Sequence, residues 1–332
     1  MANVAHSFSP KEWKCAVVSD ATNAGATGIG TTMYQLDVDS VSYPSLNVTQ
    51  ALDVRSGVGA TLKDEDFFQD STMRVVELSL SGTLHDDVGH RLLLANICGA
   101  AQADDTNQTI AHNHKIVSQR YGDAVTNNAS SLTVVIQPSD VTNQRGMEFF
   151  GCVVTNFTIS ADAGTEGGRY KWSATLQTGK IPDLDSQVTP TITAYANTTD
   201  TTLASASGVK MYAVDSVLNS FSTTIDYPAV FSGITSTGYE VVSRGAECSV
   251  THDCQVKYDG NTKDMISNFD GQTAAMAENT FIIVNNGNFG VDTANGVLTN
   301  VALSEGDIMM LDVSIKAVSD GTDELLIVDL SE

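Results

Sequence analysis

The chain has 332 residues, with 17 Lys or Arg against 40 Asp or Glu, a formal net charge of −23. That length suits two domains that each bury a core, and the 42% apolar content points to globular segments. The acid excess excludes binding to nucleic acid or anionic membranes through clustered Lys and Arg, and favours a soluble surface that repels polyanions.

Residues 1–30 are expected to form an N-terminal arm, polar through residue 12 and carrying Pro10. This stretch lacks a basic start followed by an apolar core, and no run of about 18 apolar residues occurs anywhere. The expectation is therefore a protein made in the cytosol, with no membrane span. Cys15, Cys98, Cys152, Cys248 and Cys254 show no metal spacing. An odd count without a secretion signal predicts reduced, mostly buried thiols.

Strand signals dominate from there on. Val76-Glu77-Leu78-Ser79-Leu80-Ser81 alternates with period two, giving one buried and one wet face. Asp86 or Asp87 can cap a helix running through Val88, Leu92, Leu93 and Ile97, which Gly99 ends. Leu132–Ile136 reads as a short buried strand ended by Pro138. Cys152–Ser160 and Tyr170–Thr178 read as strands joined by the loop 162–168. Residues 181–208, with Pro182, Pro190 and many Thr, Ser and Ala, read as a linker in which 188–195 can still form a strand.

The second half uses the same grammar. Glu247–Tyr258 and Phe281–Val284 read as strands, and Asn261 or Thr262 can cap a short helix through Met265, Ile266 and Phe269 that stops at Gly271. Val297–Ser304 and Ile308–Val318 form a closing hairpin. The halves also match in words: Met33-Tyr34 with Met211-Tyr212, Glu77–Ser81 with Glu247–Thr251, and Val153–Ser160 with Val297–Ser304. A period of roughly 150–180 residues is too long for a solenoid and predicts two similar domains, 31–180 and 209–332.

Candidate chemistry is sparse. His112-Asn113-His114 with Asp104 and Asp105 is the nearest approach to a metal site, but spacing fixes no third ligand, and a polar loop is the better reading. Asp320–Glu324 and Asp259-Gly260-Asn261 lack the frame of a calcium loop and read as turns. Gly25–Gly30 has no phosphate-loop Lys. The sequons at Asn47, Asn107, Asn128, Asn156 and Asn197 follow from composition. There is no Gly-x-Ser-x-Gly elbow, and carboxylate pairs drawn from so many acids carry no weight. No catalytic residue, cofactor or metal is expected.

What remains is surface. Asp64, Glu65, Asp66, Phe67, Phe68 and Asp70 place two aromatics in an acidic stretch after Lys63. Either a Phe tucks under its own domain, or the stretch docks on a neighbouring subunit or ring, since exposed aromatics are costly without a partner. Phe231–Tyr239 is the corresponding stretch of the second half. Near the acidic C-terminal end, Leu325–Val328 can add a strand to a neighbour.

With the Glu77-x-Ser79 strand leading to the Asp86–Ile97 helix, the second copy over Glu247–Phe269, and the Val153–Ser160 and Val297–Ser304 strands with their hairpins, the chain resembles the major tail tube proteins of long-tailed bacteriophages over residues 30–318. The resemblance implies a mainly β fold of two tandem β-sandwich or barrel domains, each with one packed helix. It implies stacked hexameric rings around a DNA conduit, three duplicated chains completing a pseudo-hexameric ring, within a virion tail assembled in bacterial cytoplasm. DNA would pass without specific binding, and some of the acid excess would line the lumen beside Ser, Thr and Asn. The second copy lacks the long acidic loop, and residues 100–131 have no counterpart of equal length. The alternative reading is a viral β-sandwich binding or decoration protein; with only Trp13 and Trp172, a sugar platform is poorly supplied.

Overall fold

The structure is a computed structural model and describes residues 12–20, 32–42, 49–52, 67–70, 75–98, 113–116, 131–138, 144–187, 189–195, 201–203, 208–211, 214–245, 247–271, 282–285, 289–306, 308–319 and 325–330. The fold is mainly β, with helices at Val88–Cys98 and Asp264–Gly271 among the described residues. Its backbone is one continuous run of antiparallel strands. In spatial order these are Ser40–Ser42, Val76–Thr83, Lys171–Thr178, Gly146–Asp162, Leu218–Asp226, Ser249–Lys257, Met310–Ala317 and Gly296–Ser304.

That order is one pattern written twice. In each half the last hairpin (Gly146–Asp162 with Lys171–Thr178, then Gly296–Ser304 with Met310–Ala317) pairs with the strand that precedes the helix. That strand pairs in turn with an early one. Each hairpin skips one residue at the same point, Thr155 in the first half and Thr299 in the second. Both bulge hydroxyls donate across the strand, Thr155 Oγ1 to Thr175 O at 3.2 Å and Thr299 Oγ1 to Ser314 O at 3.1 Å. A bulge of this kind fixes register, because it admits only one alignment of its neighbours.

A second set of strands repeats as well. Lys14–Ser19 lies between Met33–Leu36 and Leu132–Gln137, while Gly208–Met211 lies between Val214–Asp215 and Ile282–Asn285. Asp183–Ser186 pairs with the start of Gly146–Asp162, as Leu326–Leu330 pairs with Phe289–Thr293. Each half also has a two-stranded hairpin, Thr49–Leu52 with Phe67–Asp70 and Ala229–Thr235 with Gly238–Arg244.

The register corrects two of the sequence matches. Cross-strand partners equate Leu78 with His252, not Cys248, a slip of four residues. They equate Tyr34 with Val214, not Tyr212, a slip of two. The Val153–Ser160 match to Val297–Ser304 agrees with the pairing. The segment 1–30, expected as an arm, contains Lys14–Ser19, a strand paired on both sides with Cys15, Ala16 and Val17 buried. The short apolar run Cys15-Ala16-Val17-Val18 is what draws it into the core. The segment 181–208, expected as a linker, contributes Asp183–Ser186 and Ile192–Thr193, the latter pairing parallel with Met33–Tyr34.

Alternation explains the core. Val76, Leu78 and Leu80 on one strand and Trp172, Ala174 and Leu176 on the next are buried, while Ser79, Ser173 and Thr175 between them are half-buried. Phe157 stacks on Trp172 with centroids 6.1 Å apart, and Tyr170 meets Phe221 edge-on at 5.5 Å and Phe289 at 4.6 Å. Both halves therefore share one cluster of buried side chains. The helix Val88–Cys98 starts where Asp87 Oδ1 accepts from His90 N at 3.0 Å, and every residue from Gly89 to Cys98 is buried. The shorter Asp264–Gly271 helix buries Met265 and follows a turn in which Asp259 Oδ1 accepts from Asn261 N at 2.9 Å. The helices lie against equivalent strands, Gly146–Asp162 and Gly296–Ser304.

Candidate functional site

The face of the long sheet opposite this core is the candidate site, because Ser and Thr recur across it among Asp, Asn and Lys. Directly opposed residues form rows at right angles to the strands. One row reads Ser40, Ser81, Ser173, Thr158, Thr224, Thr251 and Lys316. The adjacent row reads Thr83, Lys171, Ser160, Ser222, Asp253, Ser314 and Asn300. Side chains on one face of a pleated sheet stand beside their cross-strand partners, so these hydroxyls bond to one another. Ser79 Oγ lies 3.4 Å from Thr175 Oγ1, and Thr158 Oγ1 lies 3.2 Å from Thr224 Oγ1 across the junction of the two halves.

Longer groups extend this network in the second half. Asn219 Nδ2 donates to Gln255 Oε1 at 2.6 Å, and Gln255 Nε2 donates to Asp312 Oδ1 at 2.8 Å. Ser314 Oγ donates to Asp253 Oδ1 at 2.6 Å. A depression of about 620 Å3 on this face is lined by Ser160, Ser222, Gln255 and Asp312 among others. At its rim Lys171 Nζ donates to Asp39 at 3.0 Å and lies 3.0 Å from Glu166 Oε2. Burial works against the Lys171 charge, but the bonds to Glu166 and Asp39 outweigh it and hold its pKa above the ordinary lysine value. The face carries Glu77, Asp162, Asp226, Asp253 and Asp312 against Lys171, Lys257 and Lys316, so acids prevail over bases.

On the buried side a polar group, His252, stands opposite Thr223 in a mainly apolar row. His252, where the first half has Leu78, has Nδ1 2.9 Å from Thr223 Oγ1 and Nε2 2.8 Å from Thr293 Oγ1. Burial pushes its pKa down to about 3, so the ring is neutral in the fold. The unfolded chain takes up a proton below about pH 6.5 that the fold refuses until about 3. Stability therefore falls as pH drops through that window. His252→Leu is expected to flatten the dependence of unfolding free energy on pH between 6.5 and 4 by up to about 1.4 kcal/mol per pH unit relative to the parent. Chemical denaturation at a series of pH values reads this, and equal slopes for the two proteins contradict the assignment.

A second polar cluster, which the sequence reading did not single out, surrounds the start of the first helix. His85 Nε2 lies 2.8 Å from Asp37 Oδ2, His90 Nδ1 lies 3.0 Å from Asp87 Oδ1, and Arg91 Nε donates to Asp86 Oδ1 at 2.9 Å. Burial tends to raise the Asp87 pKa, but His90 and His85 beside it prevail and hold it low. The Asp87–His90 spacing of three within a helix start was the available signal. The cluster caps the helix and anchors Asp37.

Asp64, Glu65 and Asp66 lie outside the described residues, and Phe67, Phe68 and Asp70 lie on the hairpin strand Phe67–Asp70, opposite Thr49–Leu52. His112 is also outside them. His114 stands on the strand Asn113–Ile116, which pairs with Leu326–Leu330 and so is not the loop expected there. Among the described residues no group of three His, Cys, Asp or Glu is placed to hold a metal ion. None of the cysteines forms a disulfide, and burial pushes the Cys15 thiol up to about 12. No described helix is long and apolar enough to cross a membrane. No protein-family profile and no curated protein matches this chain.

Proposed function

We propose that the chain is a structural subunit of a bacteriophage tail tube, forming pseudo-hexameric rings of three copies that stack around a DNA channel. The observation that carries this reading is the face rich in Ser and Thr, which extends across a sheet built twice from one pattern. Placed inward, short neutral side chains give DNA nothing to grip, and the excess of Asp and Glu over Lys repels phosphate. The core and both helices then face outward, as two tandem tail-tube-like sandwich units. The role needs no catalytic residue and no cofactor. It implies a virion component assembled in bacterial cytoplasm, with the stretch that holds Asp64, Glu65, Asp66, Phe67, Phe68 and Asp70 touching a neighbouring subunit or ring.

Negative-stain electron microscopy of the concentrated protein tests the proposal. Hollow rings or tubes with apparent six-fold symmetry are the expected outcome. Compact particles without a channel at every concentration overturn it, and favour a discrete binding or decoration protein.

A further inference from the structure

The polar cluster at the start of the first helix borders a cavity of about 170 Å3. Tyr34, Thr193 and Tyr195 line it together with Asp86, Asp87 and Arg91. Its charges are uneven, for Asp37, Asp86 and Asp87 gather here around a single guanidinium. Arg91 sends Nε at 2.9 Å and Nη2 at 2.5 Å to the same oxygen, Asp86 Oδ1, and Asp86 Oδ2 has no partner. Asp87 Oδ1 accepts from His90 N and lies beside His90 Nδ1, both at 3.0 Å, and Asp87 Oδ2 is likewise unpartnered. Asp86 is only 8% exposed, so bulk water does not replace the missing donor. Buried acceptors without donors are costly, and two beside one cavity mark a place for a group that donates.

The aromatic residues fit the same kind of group. Tyr195 stacks on His85 with centroids 5.1 Å apart. The Asp37 charge, then burial and the Asp87 charge, push the Tyr195 pKa above the ordinary tyrosine value, so the phenol keeps its proton. Tyrosine rings beside carboxylates attract organic cations. An anion would meet three carboxylates, and among the described residues no three of His, Cys, Asp or Glu are placed to hold a metal ion.

We infer that this cavity binds a primary ammonium group, carried by a free alkylamine or by a lysine side chain of a partner. An ammonium has three donors, enough for both unpartnered carboxylate oxygens and one acceptor more. The second half does not repeat the site. Val214 stands where the first half has Tyr34, and Thr262 and Lys263 directly precede the second helix where Asp86 and Asp87 precede the first. One ammonium per chain is therefore expected. The inference goes beyond the tube reading and does not depend on it.

Isothermal titration calorimetry of the full chain at physiological salt tests the site, with putrescine, N-acetyl-lysine methylamide and n-butanol as probes. One amine per chain is expected to bind with a Kd below about 1 mM, while n-butanol, as long but uncharged, gives no binding heat. Tighter binding of putrescine assigns the site to free amines, and tighter binding of the blocked lysine assigns it to a partner protein. Asp87→Asn keeps an oxygen for the helix cap but removes the charge, and should weaken binding by about tenfold or more. Thr193→Lys, at an exposed position on the cavity, supplies a tethered ammonium outside the buried cluster and should abolish binding. Absence of binding by both amines at about 10 mM overturns the inference. Binding that both variants retain at the parent's strength overturns it too, because the amine then sits elsewhere on the acidic surface. Hollow rings under the microscope would still support the tube in either case.

Discussion

Gly82→Ala is expected to be the most damaging single substitution in the first half of the chain. A Cβ at Gly82 would stand 1.9 Å from Asp37 O and 2.8 Å from its carbonyl carbon, where the chain crosses close over the strand. Neither side can yield cheaply. Gly82 is held in a strand between Ser40–Ser42 and Lys171–Thr178, and Asp37 is fixed from two directions. Trp172 Nε1 donates to Asp37 O at 3.3 Å, and His85 Nε2 holds the Asp37 carboxylate at 2.8 Å. Ordinary overpacking costs about 1–3 kcal/mol, and a clash with anchored backbone belongs at or above the upper end of that range. The melting temperature should fall by about 10 °C or the protein should fail to accumulate in soluble form. Ser81→Ala, one residue away on the hydroxyl face, should change stability by less than about 0.5 kcal/mol. Thermal denaturation of both variants decides the matter, and a Gly82→Ala protein that melts like the parent would contradict the close crossing.

Arg244→Ala is expected to loosen the second half of the chain from the first. Its guanidinium closes the Gly238–Arg244 strand onto the other half of the molecule. Nη1 donates to Val154 O at 2.6 Å and to Tyr227 O at 3.1 Å, and Nη2 donates to Asn96 O at 2.7 Å and Asn96 Oδ1 at 3.0 Å. The planar group also lies 5.0 Å over the Tyr227 ring. Removing it leaves half-buried carbonyls without their charged donor, a loss of roughly 2–3 kcal/mol. Arg244→Lys should recover little of this, because one ammonium cannot reproduce the fork. The same hairpin meets the first half at Gly238, where Tyr239 N donates to Gly179 O at 2.9 Å and Ile181 N donates to Thr237 O at 3.2 Å. With the guanidinium gone, the hairpin keeps that contact but loses its charged clip, and denaturant unfolding should broaden or separate into two transitions. A single transition at the parent midpoint would show that the shared sheet couples the halves without the clip.

The sequence made several strands and both helices legible because each has a local cause. Period-two alternation placed Val76–Thr83 and Lys171–Thr178, and Asp87 before an apolar stripe placed the first helix. Register was legible only at the bulge, where Val154-Thr155-Asn156 and Leu298-Thr299-Asn300 share both residue types and geometry. Elsewhere the match slipped by two or four residues, and an even slip keeps every side chain on its face, so alternation cannot correct it. The strand Lys14–Ser19 escaped because four apolar residues beside a polar stretch resemble an arm until Leu132–Gln137, over a hundred residues away, pairs with them. The hydroxyl face was present as scattered Ser and Thr whose alignment depends on which strands are neighbours. Its row from Ser81 through Ser173, Thr158 and Thr224 to Thr251 draws on distant parts of the chain. The polar cluster at the first helix was hidden for the same reason, since Asp37 and His85 meet only when the chain crosses at Gly82.

A cryo-electron microscopy reconstruction of the assembled protein decides whether the hydroxyl face is the wall of a channel. A closed barrel is expected in which Thr158, Thr224 and Thr251 face the lumen and the helices Val88–Cys98 and Asp264–Gly271 lie on the outside. A ring whose lumen is lined by the helices, with the hydroxyl rows turned to the exterior, would contradict it.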